Sequence, residues 1–190
     1  MKRIVTANDN AGNARFVDEM DSPLVVYFDY VPGFSVSRLW STSADVIIPE
    51  TVTDEALSFS SFVPGPGETR CIMVEFPPDE VLGKITDWAS VGAEYAAKLP
   101  GLAERFEADS PGMHTTPTID HVVMLSSELW LELDGGKQRR LTAGDIVVQN
   151  GARHAWRNQS DGPARILSVM IGASILPSSD KAADLPGSSS

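Results

Sequence analysis

The second half of the chain is a succession of short segments with the composition of β-strands, separated by turns that contain glycine. From Thr118 onward these segments read TIDHVVML, LWLELD, IVVQ, HAWRN and ARILSVMIG. Strands of this length at such close spacing are typical of an all-β sandwich or barrel. The adjacent glycines Gly135 and Gly136 predict a tight hairpin turn between two of them. We therefore predict an all-β fold in the form of a small barrel.

The first half adds further strands and one helical insertion. Strands are predicted over residues 3–6, 14–17, 22–30, 34–42 and 70–76. Residues 87–106 are rich in alanine and carry apolar side chains near helical spacing, with a break at Pro100 and Gly101. Because this helix lies between strands instead of alternating with them, a βαβ design is disfavoured.

These patterns divide the chain into three parts. Residues 1–69 are predicted to be N-terminal strands that pack on a barrel formed by residues 70–176. A helical insertion occupies about residues 81–110 of the barrel segment, either as a lid or pocket wall, or only as a cap on the barrel or a support for a dimer contact. Residues 177–190 contain too few apolar side chains to order themselves, so we predict a disordered tail.

Charge and composition narrow the possible partners. The net charge of -11 disfavours binding to nucleic acid or to an anionic membrane surface. No apolar run approaches the roughly 20 residues needed to cross a bilayer, and no secretory signal is recognisable at the amino terminus. The single cysteine, Cys71, lies in an apolar run and is expected to be a buried structural thiol in a reducing compartment. We expect a cytoplasmic protein whose partner is a small molecule.

The chain has three histidines, and alternation along a strand separates them. Side chains two positions apart in a strand point to the same face. His114, Asp120 and their even-numbered neighbours therefore point inward, whereas His121 points outward. The outward face of this strand is nearly as apolar as the inward one, so we expect another sheet or a second subunit to cover it. In the later stretch, His154 and Trp156 share the inward face.

Two imidazoles and one carboxylate would thus meet inside the barrel. His114, Asp120 and His154 form a donor set that suits Fe(II), and also Mn, Ni or Zn. The same three residues are the candidate catalytic residues. The alternative for each histidine is an ordinary hydrogen-bonded core or surface residue. Pocket-lining residues are predicted at Thr116, Val122, Met124 and Trp156, and Trp156 could instead serve only core packing. Gln149 and Arg153 are assigned surface or turn roles.

Two stretches, GMHTTPTIDHVVMLSSE and GDIVVQNGARHAWRN, resemble the two signature motifs of the cupin superfamily, in particular its single-domain cupin-2 type, RmlC-like members. The resemblance covers residues 112–158, and the flanking strands extend it over residues 70–173. It implies a double-stranded β-helix, or jelly roll, with both motifs at the barrel mouth, and a homodimer. The family's metal-binding histidines fall on His114 and His154 and its glutamate falls on Asp120, while its remaining histidine is replaced by Thr116.

Two classes of function are consistent with these residues and motifs. The first is a metal-dependent cupin enzyme acting on a small oxygenated organic substrate, of the dioxygenase, decarboxylase, isomerase or lyase type. If no metal is bound, His114 or His154 would act as a general base with Asp120 orienting it. The second is a non-catalytic or metal-free cupin that binds a small molecule in the barrel.

Overall fold

The protein is described here from a computed structural model, which covers residues 1–20, 24–48, 52, 54, 56 and 59–175. Its strands are β1 (Arg3–Asn8), β2 (Ala14–Met20), β3 (Val25–Tyr27), β4 (Ser35–Thr42), β5 (Thr69–Phe76), β6 (Thr118–Ser126), β7 (Glu128–Leu133), β8 (Lys137–Thr142), β9 (Ile146–Asn150), β10 (Ala155–Arg157) and β11 (Ala164–Gly172). Its α-helices are α1 (Asp79–Leu82) and α2 (Trp88–Lys98), and short 3-10 helices lie at Ala103–Arg105 and Asp134–Gly136. The predicted all-β class with one helical insertion is confirmed.

The strands form two main antiparallel sheets around one core. The larger sheet has the order β3-β4-β5-β11-β6-β9, the smaller one has the order β10-β7-β8, and β1 and β2 form a separate hairpin. Val122 and Ile166 on the larger sheet and Leu129 on the smaller sheet belong to the same buried cluster. Two sheets closed over a shared apolar interior are the architecture of a jelly roll. In this order β11 lies between β5 and β6.

The side chains of strand β6 alternate between buried and exposed, as the sequence predicts. Thr118, Asp120, Val122 and Met124 are all buried. The intervening residues point outward, and Ile119 and Leu125 are 37% and 44% exposed. His121 is exposed on the same outward face. Strand β6 therefore supplies one half-polar, half-apolar row of side chains to the barrel interior.

Residues before the predicted barrel also belong to the larger sheet. Strand β4 pairs with β5 over most of its length, and β3 pairs with β4. The hairpin of β1 and β2 contacts this edge, where the guanidinium of Arg3 donates to the carbonyl of Leu39 at 3.1 Å. The division at residue 69 stays a prediction, and the predicted tail at residues 177–190 lies outside the described residues. Cys71 is half-buried on β5, and burial raises the pKa of its thiol.

The helical insertion is shorter and more broken than its sequence pattern predicts. Helix α2 begins after Asp87, whose side chain accepts from the Ser90 backbone N–H at 3.0 Å. It ends before Pro100, and Gly101 follows with φ +82°. A side chain there would meet Ser61 Oγ at 2.0 Å, so only glycine fits this close approach. The ring of Tyr95 packs against Phe28 at 5.3 Å between centroids, which holds the helix against the connection between β3 and β4.

No helix of the described residues is both long enough and apolar enough to cross a bilayer. The cytoplasmic location stays a prediction.

Candidate functional site

His114 and His154 are brought together by a short antiparallel bridge. The backbone N–H of His114 donates to the carbonyl of His154 at 2.9 Å, and the reverse bond measures 3.0 Å. Because residues directly opposite in such a bridge project to the same side, the two imidazoles face each other. Their ring centroids are 4.3 Å apart and their planes are inclined by 50°. The pair is the centre of the candidate site.

Backbone carbonyls fix the tautomer of both rings. Nδ1 of His114 lies 3.0 Å from the carbonyl oxygen of Gly112, and Nδ1 of His154 lies 2.9 Å from that of Ala152. A carbonyl oxygen only accepts, so the proton of each neutral ring sits on Nδ1. Nε2 of each ring is then an unprotonated acceptor. Neither Nε2 has a hydrogen-bond partner among the described residues, so the pair offers two free lone pairs.

Burial keeps both rings neutral near pH 7. His154 is 3% exposed, and burial, with a smaller effect from the charge of His114, lowers its pKa to about 4. Burial also lowers the pKa of His114, against the hydrogen bond to Gly112 and the charge of Glu107. His114 is less deeply buried than His154 and forms the solvent side of the pair.

Two aromatic rings enclose the pair. Phe106, at the end of the insertion, lies 5.0 Å from the His114 ring and pairs with His114 through a backbone bridge. Trp156, on β10, meets the His154 ring edge-on at 5.9 Å. Trp156 thus lies against the histidine pair, and its role in a pocket stays a prediction. Phe106 contacts the pair from the side of the insertion.

An ion-pair cluster ties the insertion to the rest of the site. The guanidinium of Arg153 donates to Glu107 Oε1 at 2.7 Å and to Asp134 Oδ1 at 2.6 Å. These two bonds raise the pKa of Arg153 and lower that of Glu107. Arg153 therefore does more than occupy a turn: it joins the residue after Phe106 to the turn between β7 and β8.

Asp120 does not join the histidine pair. It is 6% exposed on the inner face of β6, and burial raises its pKa to about 6, partly opposed by the Thr118 hydroxyl and the charge of His121. Its Oδ1 has no hydrogen-bond partner within the described part of the chain. The prediction that Asp120 orients a histidine is wrong, because the carbonyls of Gly112 and Ala152 do so.

The predicted pocket residues line the same interior. Thr116 is 3% exposed, and its hydroxyl oxygen lies 2.7 Å from that of Thr118. Val122 and Met124 belong to the apolar core below Asp120. Gln149 was assigned to the surface, and this is wrong: it is 5% exposed and directly opposite Asp120. Alternation along β9 would have revealed it, since Gln149 shares the inward face with Val147.

The residues present do not fit the metal site that the resemblance implies. Among the residues that the structure covers, no three His, Cys, Asp or Glu side chains lie close enough together to hold one ion. Two imidazoles alone leave most of a tetrahedral or octahedral coordination sphere without protein ligands. The structure brings together His114 and His154 of the predicted set and leaves Asp120 apart.

No family model matches the chain. The "Cupin-domain-containing oxidoreductase srdB" of Neurospora crassa is 32% identical over 93 residues, which are 43% of this chain and 47% of that protein. The "Cupin-domain-containing oxidoreductase virC" of Hypocrea virens is 31% identical over 62 residues, 31% of this chain and 32% of that protein. The jelly-roll sheets and these relatives make the chain similar to cupin-domain proteins.

Other relatives of this chain are named for biosynthetic clusters. The "Oryzines biosynthesis cluster protein J" of Aspergillus oryzae is 42% identical over 64 residues, 33% of this chain and 36% of that protein. The chain spans only about a quarter to a half of the length of the curated relatives it matches. A cupin domain of an Enterobacter cloacae transcriptional regulator superposes with a TM-score of 0.33 at 19% identity, over 54% of this chain and 80% of that one. That likeness is too weak to support any inference about this chain.

Proposed function

We propose that this chain is a cupin enzyme in which the His114–His154 pair takes up and returns a proton on a small oxygenated organic molecule. The observation that carries the proposal is the orientation of the two rings. Both Nδ1–H groups are held by backbone carbonyls, so both Nε2 lone pairs remain available as proton acceptors. A site with two acceptors and no free N–H selects a substrate group that can give up a proton.

The chemistry follows from the low pKa of the buried pair. In the proposed step a C–H bond next to a carbonyl gives its proton to one imidazole while the electron pair moves onto the carbonyl oxygen. Burial makes each ring a weaker base than free imidazole, but it also destabilises the imidazolium that forms, which therefore readily gives the proton back, either to another substrate atom or to a leaving group. Return to another carbon gives isomerisation, and return to a leaving group gives elimination. Both outcomes are of the isomerase and lyase types predicted from the sequence.

The comparisons support an enzyme at this coarse level. The Neurospora crassa and Hypocrea virens relatives are named oxidoreductases, and their names are the observation that favours a second candidate, oxidation or reduction of a similar substrate. A non-catalytic cupin that binds a small molecule is the alternative that the experiment below distinguishes from both.

Proton exchange tests the proposal without knowledge of the product. Small ketones, hydroxyketones and hydroxy acids are incubated in D2O with the protein, and loss of the α-proton signal is followed by NMR. We expect exchange that His154→Gln and His114→Gln each reduce at least a hundredfold, because either change removes one of the two acceptors. His121→Gln is the matched control, since His121 lies on the outer face of β6. Exchange that persists in both site variants would refute the role of the pair.

The metal dependence expected from the sequence is tested separately, by elemental analysis of the protein purified without chelators. With only two protein ligands together, we expect much less than one ion of iron, zinc, manganese or nickel per chain. Near-stoichiometric metal that disappears in His114→Ala, and is kept in His121→Ala, would contradict this expectation and restore the three-residue ligand set.

A further inference from the structure

Asp120 and Gln149 form a second polar pair in the barrel interior. They occupy directly opposite positions on β6 and β9, and they are 6% and 5% exposed. Oδ1 of Asp120 and Nε2 of Gln149 are buried and have no hydrogen-bond partner among the described residues. Both side chains extend from the inner face of the larger sheet.

Unpaired polar atoms in this setting need a partner from elsewhere. A buried donor or acceptor without a hydrogen bond is costly, and nearly all such groups in folded proteins are paired. Side chains directly opposite on neighbouring strands lie close enough to bond to each other, with Cβ atoms roughly 5 Å apart. Asp120 and Gln149 do not make that bond. An acceptor and a donor are therefore presented side by side to whatever enters the barrel.

This second pair belongs to the same two chain segments as the histidine pair. Along these segments lie first the bridge between His114 and His154, then the bond from the Gly151 N–H to the Thr118 carbonyl at 3.0 Å, and then Asp120 opposite Gln149. Gln149 and His154 are five positions apart in the sequence. Their Cα atoms are thus at most about 18 Å apart, since an extended chain spans at most about 3.6 Å per residue.

We propose that Asp120 and Gln149 bind a neutral substrate group that carries an N–H donor beside a carbonyl acceptor on one edge, as in a primary or cyclic amide. The donor of that group bonds to Asp120 Oδ1 and its carbonyl oxygen accepts from Gln149 Nε2. A carboxylate has no donor and is repelled by Asp120, and an apolar group leaves both atoms unpaired. The inference rests on the proposed function in taking this ligand to be the substrate of the histidine pair.

Three probes of nearly equal size test the binding without turnover. These are 2-pyrrolidinone, which has both donor and acceptor, and N-methyl-2-pyrrolidinone and cyclopentanone, which have only the acceptor. Their dissociation constants are measured by chemical-shift titration of the full chain. We expect 2-pyrrolidinone to bind at least about tenfold more tightly than either analogue, because each analogue leaves Asp120 Oδ1 unpaired.

Variants assign the binding to the pair. Asp120→Leu removes the acceptor for the probe N–H and should reduce the preference to less than about threefold. Gln149→Met removes the donor to the carbonyl that all three probes share, so it should weaken the binding of all three and leave the preference in place. Asn150→Met is the matched control, because Asn150 is the next residue of β9 and is exposed on its outer face. Equal binding of the three probes, which is what a site filled only by water would give, overturns the inference, and so does a preference that survives in Asp120→Leu.

The inference and the proposed function fail in different ways. If the lactam preference is absent while proton exchange still depends on His114 and His154, the amide recognition is refuted and the base chemistry stands. If the preference is present and depends on Asp120, but no histidine-dependent exchange occurs, the site is a binding pocket and the proposed function is refuted.

Discussion

At the residue scale, two buried ionisable groups in the barrel shift in opposite senses. The pKa of His154 falls from 6.5 to about 4, and the pKa of Asp120 rises from 3.8 to about 6. Both shifts are caused mainly by burial, which disfavours the charged form of either group. At neutral pH the barrel interior therefore holds a neutral base, His154, and a carboxylate, Asp120.

The shift of His154 predicts a loss of stability in acid. Between pH 6.5 and 4 the unfolded chain protonates this histidine and the folded chain does not, so its contribution to the free energy of unfolding falls as the pH falls. Each pKa unit is worth about 1.4 kcal/mol, which gives about 3 kcal/mol in total. Urea unfolding at pH 4.5 and 7 should show that His154→Gln lacks roughly 2 kcal/mol of this pH dependence. An unchanged pH dependence would mean that His154 is solvated.

Asp120 predicts the reverse dependence. Its folded pKa lies above its unfolded one, so its contribution is present at pH 4 and is lost as the pH rises through 6. The free energy of unfolding of Asp120→Asn, relative to that of the unaltered protein, should therefore rise by about 2 kcal/mol between pH 4.5 and 7. The same urea measurements check it. A relative stability that falls over this range would show that Asp120 is ionised and paired in the folded protein.

At the element scale, the ion pairs of Arg153 hold the end of the insertion against the histidine pair. Arg153→Leu removes its bonds to Glu107 and Asp134, which are part-exposed and should cost no more than about 1 kcal/mol of global stability. We expect a local effect instead: faster hydrogen exchange of the backbone from Phe106 to His114, with helix α2 unchanged. Arg140→Leu, which breaks a surface ion pair with Glu128, is the control and should leave that exchange unaltered.

Gly92 lowers the stability of helix α2. This glycine is exposed within the helix, and an added Cβ would have no atom within 4 Å. Gly92→Ala should raise the free energy of unfolding by about 0.5–1 kcal/mol, because alanine loses less backbone entropy in a helix. Thermal unfolding checks it. Gly101→Ala provides the contrast, since the clash with Ser61 and the φ of +82° should make that change destabilising.

The sequence predicted the strands better than it predicted which side chains meet in the folded protein. Alternation along β6 correctly separated Asp120 and Val122 from His121, because one face is buried and the other is exposed. Alternation and the motif resemblance both predicted that His114 and His154 meet, but with Asp120 as a third member of the group. The carbonyls that fix both tautomers were unpredictable, since Gly112 and Ala152 act through backbone geometry and not through their side chains.

At the scale of the whole molecule, the outer face of the larger sheet remains unpartnered within the described residues. Ile146 and Val148 on β9 are 69% and 62% exposed and lie beside the exposed Ile119 and Leu125 of β6. This face is nearly uncharged on a chain of net charge -11. Two copies of so acidic a protein approach each other with least repulsion there, so we propose the homodimer expected from the resemblance at this face.

Light scattering after gel filtration tests the dimer. The double change Ile146→Lys and Val148→Lys should produce a monomer, because it places two like charges from each copy in an apolar interface. Phe16→Lys is the control: Phe16 is 73% exposed but belongs to the separate hairpin of β1 and β2. If the unaltered protein is already monomeric at high concentration, the exposed face does not bind a second copy of the chain.

The position of β11 has a consequence for synthesis on the ribosome. Because β11 separates β5 from β6, neither strand has its neighbour on that side until residues 164–172 have been made. A nascent chain therefore exposes an unpaired edge of β5, and later one of β6, until β11 emerges and completes the larger sheet. Pairing between strands that are far apart in sequence slows folding, and until it occurs the unpaired strand edges are prone to aggregation. Yield in a cell should thus depend on chaperones that shield those edges more than on the stability of the finished barrel.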